Sequence, residues 1–148
     1  MWEDEFFMRQ ALAEAEQSLK RGEVPVGAVV VLENKVLNRG RNMAISRKDP
    51  TAHAEIVAIR KACQKVKNYR LVDCDLYVTL EPCAMCLGAA IHARIRRLVY
   101  GAPDPKNGAV KSIMNFPFEK TQHRIEVRGG VMAEECSKIL KGFFLNKR

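Results

Sequence analysis

In Asp75-Leu76-Tyr77-Val78-Thr79-Leu80-Glu81-Pro82-Cys83-Ala84-Met85-Cys86, a strand gives way to a helix. Residues 75–80 are rich in β-branched, aromatic and leucine side chains, which fit a pleated, half-buried surface. Pro82 suits the first turn of a helix, where its missing N–H costs nothing. The helix expected from Cys83 to about Ala93 is apolar nearly all round, so burial is expected for it.

The same alternation extends in both directions. Phe7, Ala11, Ala15 and Leu19 recur every fourth residue and predict an amphipathic helix over about 3–21, broken by Gly22. Val26 to Leu32 reads as a buried strand, Glu33-Asn34-Lys35 as a tight turn, and Val36 to about Asn42 as the returning strand of a hairpin. Residues 41–50 read as loop. Asp49-Pro50-Thr51 supplies helix-start signals for a helix carrying Ile56, Ile59, Cys63 and Val66. Arg97–Tyr100 and Arg124–Arg128 read as strands around a Pro/Gly-rich loop. Met132, Cys136, Ile139, Leu140 and Phe143 mark a last amphipathic helix. Alternating helix and strand imply an α/β sheet covered by helices.

The chain has 148 residues, 47 % of them apolar and 28 % charged, which fits one domain over residues 1–148 with its own core. No apolar run approaches the roughly 20 residues that span a bilayer. The start, Met1-Trp2-Glu3-Asp4-Glu5, is acidic where a secretory signal is basic and then apolar, so a cytoplasmic protein is expected. Five cysteines, two of them in the C-x-x-C of Cys83 and Cys86, argue for metal or redox use of that pair rather than a disulfide framework. Cys63, Cys74 and Cys136 are expected to fill the core. A net charge of +8 suits a phosphate-bearing partner, although many soluble proteins are basic for no specific reason.

His53-Ala54-Glu55 and Pro82-Cys83-Ala84-Met85-Cys86 each lie where a helix opens. Cys83 and Cys86, three apart, share one face of a helical turn. The helix N-terminus favours the thiolate that a metal needs. If the two helix ends meet, His53, Cys83 and Cys86 give a tetrahedral zinc three ligands and leave one position for water, the pattern of a catalytic site. Glu55, two residues past His53, can move protons without binding the metal. A thioredoxin-like redox pair and a structural zinc are the competing readings. The second lacks a fourth ligand, because neither His92 nor His123 stands in another tight pair. Together and in this order, the two motifs match the zinc-deaminase signature H-x-E…P-C-x-x-C, which acts on bases taken out of the stack.

At these residues the chain resembles the bacterial tRNA-specific adenosine deaminases of the cytidine-deaminase-like superfamily. The likeness spans nearly the whole chain. It includes Gly22-Glu23-Val24-Pro25-Val26-Gly27-Ala28, Asp49-Pro50-Thr51-Ala52-His53-Ala54-Glu55, Leu76 to Cys83, Met85-Cys86 and Phe143-Phe144. The resemblance implies a three-layer α/β/α fold with a five-stranded mixed sheet and helices on both faces. It also implies a homodimer with one Zn²⁺ per subunit. Adenosine would become inosine at the wobble position of a tRNA anticodon stem-loop, with Glu55 catalytic. Asn42 would hydrogen-bond the target base, the backbone near Ala54 would hold its edge, and Asp104 would lie near the anticodon-loop backbone. Phe143 and Phe144 would shape the pocket or stack on a loop base. From the residues alone, Asn42 reads first as a turn residue ending the hairpin, Asp104 is equally a turn former, and the two phenylalanines need no role beyond the core of the last helix. Arg94, Arg96, Arg97, Lys138, Lys141, Lys147 and Arg148 are candidates for phosphate contacts or for a plain solvated face. Gln122-His123-Arg124, Lys111 and Met43 depart from the family's usual residues. The chain stops four residues after Phe144, so a long basic tail is not expected. The rival classes are a free guanine or cytosine deaminase, which shares the zinc motif, and a zinc module that only binds RNA, which has no need of Glu55.

Overall fold

Strand β1 (Gly27–Leu32) divides its side chains between two cores. Ala28 and Val30 point to one side, with Leu76, Val78, Leu98 and Tyr100, against Ala54, Ala58, Leu87 and Ile91. Val29 and Val31 point to the other, with Tyr77 and Val99, against Phe7, Met8, Ala11 and Cys136. This alternation is the period of two that a pleated strand imposes, and it requires helices on both faces. The structure, a computed structural model, describes residues 2–146. Its other elements are α1 (Trp2–Lys20), β2 (Lys35–Arg41), α2 (Ala44–Arg47), α3 (Ala54–Val66), β3 (Cys74–Leu80), α4 (Ala84–His92), β4 (Arg97–Ala102), β5 (Glu126–Arg128) and α5 (Ala133–Asn146).

The strands form one five-stranded sheet in the order β2-β1-β3-β4-β5. β1 runs antiparallel to β2 and β3, and β4 runs parallel to β3 and β5. The expected α/β class and mixed five-stranded sheet are therefore present. Glu33 (φ 52°) and Asn34 (φ 62°) both adopt the left-handed conformation, which is how a two-residue turn follows the twist of the β1–β2 hairpin.

Two glycines set how closely the helices approach. A Cβ at Gly27 would lie 2.0 Å from the Ala11 carbonyl oxygen of α1. One at Gly40 would lie 2.5 Å from the Ala58 nitrogen and 2.6 Å from the Ala54 carbonyl oxygen. The first turn of α3 thus rests directly on β2. On the other face, Asp4 of α1 is almost wholly buried. It accepts hydrogen bonds from the Tyr77 hydroxyl (2.6 Å), from both terminal nitrogens of Arg97 (2.8 and 2.6 Å) and from Arg128. The Arg97 guanidinium, helped by Tyr77 and Arg128, holds this carboxyl well below the usual carboxylate range.

Four expectations need correction. The helix signalled by Asp49-Pro50-Thr51 begins only at Ala54. Asp49 instead accepts hydrogen bonds from the amide and hydroxyl of Thr51 (2.9 and 2.7 Å), a local turn that competes with helix. The 41–50 loop contains α2, a single helical turn. Helix α4 is not buried all round. Cys86, Leu87, Ala90 and Ile91 face inward, whereas Ala84, Met85 and His92 are exposed. The last strand is only Glu126–Arg128. Of the lone cysteines, Cys74 and Cys136 are buried, and burial pushes their thiols up to about 11 and about 12. Cys63 is half-buried. No helix among the described residues is long and apolar enough to cross a membrane.

Candidate functional site

His53 and Cys83 each hold the residue just before a helix, in extended backbone (φ −69°, ψ 157° and φ −79°, ψ 173°). Their helices, α3 and α4, pack side by side on one face of the sheet. The two helix mouths therefore meet. His53 Nδ1 lies 3.6 Å from Cys83 Sγ and 3.5 Å from Cys86 Sγ. All three ligand atoms fall within 4.8 Å of one another, so the group can hold a metal ion. A tetrahedral zinc with Zn–S of about 2.3 Å and Zn–N of about 2.0–2.1 Å sets its nitrogen and sulfur donors about 3.6 Å apart. The observed separations fit that geometry.

The charge states suit the same use. Hydrogen bonding from Cys86 and from His53 pulls the Cys83 thiol down to about 4 against the opposing effect of burial. Cys86, which donates to Cys83 and is itself buried, is pushed up. A cation that replaces the shared proton would favour both thiolates. Hydrogen bonding to Cys83 draws the His53 pKa upward. Glu55 stands in the first turn of α3 at 4 % exposure. Burial, with the Cys83 charge nearby, pushes its carboxyl up to about 7. A carboxyl poised there can take and return a proton at neutral pH.

The remaining candidates surround this cluster to different degrees. Asn42 ends the hairpin, and the next amide, Met43, donates to the Ala52 carbonyl beside His53 (2.9 Å). Its side chain donates to the Val24 carbonyl (3.2 Å) and accepts from the Ala44 amide (3.2 Å). One donor and one acceptor position remain on the amide group. Ala54 is fully buried at the start of α3. Asp104 accepts from the amides of Lys106 (3.1 Å) and Asn107 (3.3 Å), which makes it the turn former of its loop as well. Phe143 is buried and meets the exposed Phe144 edge-on at 5.2 Å. Both lie on α5, which packs on β3, β4 and α1 rather than on α3 or α4. Arg97 is turned inward to Asp4, and Arg96 makes a bidentate pair with Asp75 (3.0 Å to each oxygen). Lys147 and Arg148 lie outside the described residues.

Besides Asp4, two buried carboxylates hold the loops beside the site, and the sequence assigns neither a role. Glu23, 2 % exposed, accepts from the amides of Ile45 (3.0 Å) and Ser46 (2.8 Å) and so holds α2. Glu81, also 2 % exposed, accepts from the amides of Asp104 (3.1 Å), Val110 (3.0 Å), Lys111 (2.9 Å) and Ser112 (3.1 Å), and from the Ser112 hydroxyl. Burial raises each of these pKa values, yet the amides outweigh it and leave both below the ordinary value. A carboxylate placed between buried strand residues and a proline was the only signal available for Glu81.

The chain matches the MafB19-like deaminase family over residues 2–148. It is 50 % identical to a tRNA-specific adenosine deaminase of Haemophilus influenzae over 98 % of this chain and 85 % of that protein. It is 49 % identical to a tRNA-specific adenosine deaminase of Agrobacterium fabrum over 100 % of this chain and 98 % of that one. A solved structure from work on A-to-I editing by tRNA:A34 deaminases at the wobble position of transfer RNA superimposes with a TM-score of 0.87 at 49 % identity, covering 91 % of this chain and 99 % of that one. The three-layer cytidine-deaminase-like arrangement expected from the sequence is the one observed.

Proposed function

The chain belongs to the MafB19-like deaminase family, and from that premise we propose that it converts adenosine to inosine, with release of ammonia, at the wobble position of a tRNA anticodon loop. The observation that carries the chemistry is the meeting of His53, Cys83 and Cys86 beside a buried Glu55. Residues 1–148 act as one deaminase domain in the cytoplasm, where tRNA is found.

His53, Cys83 and Cys86 would hold one Zn²⁺ per subunit. When bound, the zinc supplies a water acidified to a pKa around 7. Glu55 would take a proton from the water as its oxygen bonds to C6 of adenine, pass that proton to N1, and then carry the proton of the new C6 hydroxyl to the amine, so that the C6–N bond breaks and ammonia leaves. The backbone near Ala54 and around Pro82 and Cys83 holds the base edge. Asn42 presents its remaining amide positions to the base. Asp104 accepts from a ribose 2′-OH of the loop, a group that distinguishes RNA from DNA. Phe143 supports Phe144, which stacks on a loop base. The adenine leaves the anticodon stack to enter the pocket, a cost of a few kcal/mol that is least in a single-stranded loop. A second copy of the chain seats on the exposed side of α4, where small residues and Met85 (39 % exposed) face outward, to give the homodimer.

The test is to incubate the zinc-loaded protein with an anticodon stem-loop carrying a wobble adenosine, and separately with free guanine and cytosine. Inosine in the RNA alone is expected. Ammonia from a free base with the RNA unchanged overturns the substrate. Glu55→Ala is expected to keep its zinc and lose about 10²–10⁴-fold in turnover, the usual contribution of a positioned acid–base group. Cys86→Ala is expected to lose zinc by elemental analysis.

A further inference from the structure

Glu81 stands between two parts of the site that no side chain of the proposed mechanism connects. It follows Leu80, the last residue of β3, and precedes Pro82 and the metal-binding Cys83. Its amide donates to the Ala102 carbonyl at the end of β4 (2.8 Å), and the Pro82 carbonyl accepts from the Ala109 amide (2.9 Å). Its two carboxylate oxygens then collect the amides of Asp104, Val110, Lys111 and Ser112 and the Ser112 hydroxyl. A Cβ at Gly108 would lie 2.3 Å from that carboxyl, so the loop backbone is wrapped tightly on it.

The loop has its own internal ties, Gly108 amide to Asp104 carbonyl (2.9 Å), Ile113 to Gly108 (2.9 Å) and Phe116 to Ala109 (3.1 Å). Those bonds fold the loop on itself. The Glu81 bonds do something else, because they fix the loop relative to Cys83. β3 and β4 are parallel neighbours, and the crevice beyond their carboxyl ends is where ligands bind in open α/β sheets. The loop carries Asp104 and the exposed Lys106 and Lys111 into that region. Burying a carboxylate is costly unless every oxygen is satisfied, and here that cost falls where the loop meets the Pro82-Cys83 junction, beside the backbone bond from the Ala109 amide to the Pro82 carbonyl.

We propose that Glu81 is a positioning residue for substrate: by clamping the 104–112 loop to the Pro82-Cys83 junction it sets the distance between the RNA-contacting edge and the metal cluster. The proposal rests on the reading that this loop meets RNA.

The experiment measures metal content, kcat and KM of the zinc-loaded Glu81→Gln protein on the wobble-adenosine stem-loop at low and high salt. The glutamine keeps the size but exchanges one acceptor oxygen for an N–H₂ that opposes the loop amides. KM is expected to rise about tenfold at low salt and to become less salt-sensitive as Lys106 and Lys111 lose register with phosphate. Zinc is expected to stay full and kcat to stay within about twofold. Zinc loss, or a fall in kcat with KM unchanged, overturns the proposal, because Glu81 would then only support the metal helix or the fold. Ser112→Ala removes one donor and leaves the carboxylate, so a smaller rise in KM of about two- to threefold is expected. An unchanged KM in that variant also overturns the proposal. If the wild type leaves the stem-loop untouched, the proposed function fails instead. Hydrogen exchange then decides the clamp: faster exchange at amides 104 and 110–112 of Glu81→Gln with zinc retained supports it, and unchanged exchange overturns it.

Discussion

The loop after β2 and the loop after β4 flank the same His53–Cys83–Cys86 cluster but are secured in different ways. The first, residues 42–53, runs straight into His53, so the chain itself ties it to the site. Its fixing is light: two α2 amides that donate to Glu23, the Asn42 contacts and the Asp49 turn. The second, residues 103–117, leads to no member of that cluster. Its ends run to β4 and, through the 3-10 turn at Phe118–Lys120, to β5. Nothing covalent sets its height over the cluster. A buried carboxylate beside Cys83 does so instead, with four amides and a hydroxyl, next to one backbone bond from the Ala109 amide to the Pro82 carbonyl. A loop with no covalent stake in a site is held to it by whatever buried acceptor the site can spare.

That contrast is open to measurement. The largest effect belongs to Glu81→Ala, which leaves five donors without their acceptor. Hydrogen bonds to charged groups contribute about 1.5–3 kcal/mol each and water can reach part of this set, so a loss of about 3–5 kcal/mol is expected in urea unfolding. A loss under 1 kcal/mol would show that the second loop holds itself. Glu23→Ala removes two amide acceptors at a short helix and resembles the loss of a cap, for which about 1–2 kcal/mol is expected. An effect equal to that of Glu81→Ala would erase the difference between the loops. The smallest effect is that of mild acid on the first loop. The folded pKa of Glu23 lies below its ordinary value of 4.5. Its contribution is therefore present above about pH 4.5 and fades as pH falls below it. Amide exchange at Ile45 and Ser46 is expected to quicken there before the sheet opens, and Glu23→Gln is expected to remove that pH dependence.

Much of the molecule is legible in the order of residues. The strands that were foreseen contain the valines, leucines and aromatics that alternate between two cores. The helices whose apolar spacing is regular, α1, α3 and α5, begin and end close to where periodicity places them. The errors are local competitions. Asp49 spends its side chain on Thr51 rather than on a helix, and α4 keeps an exposed apolar side that composition alone reads as core.

The pairing of His53 with Glu55, and of Cys83 with Cys86, was determined by sequence alone because each spacing is short-range, whereas the meeting of the two pairs, some 30 positions apart, was decided by the fold. Two helix-opening positions, a spacing of three in one helix and a spacing of two in the other place these side chains wherever the helix mouths meet. The Glu23, Glu81 and Asp4 arrangements were decided only by the tertiary structure. The partners of Glu23 and Glu81 are mainly backbone N–H groups some 20 to 30 positions away, and those of Asp4 lie farther still. Every residue except proline carries a backbone N–H, so its pairing leaves no mark in the sequence. Only the folded chain shows which amides need a buried carboxylate.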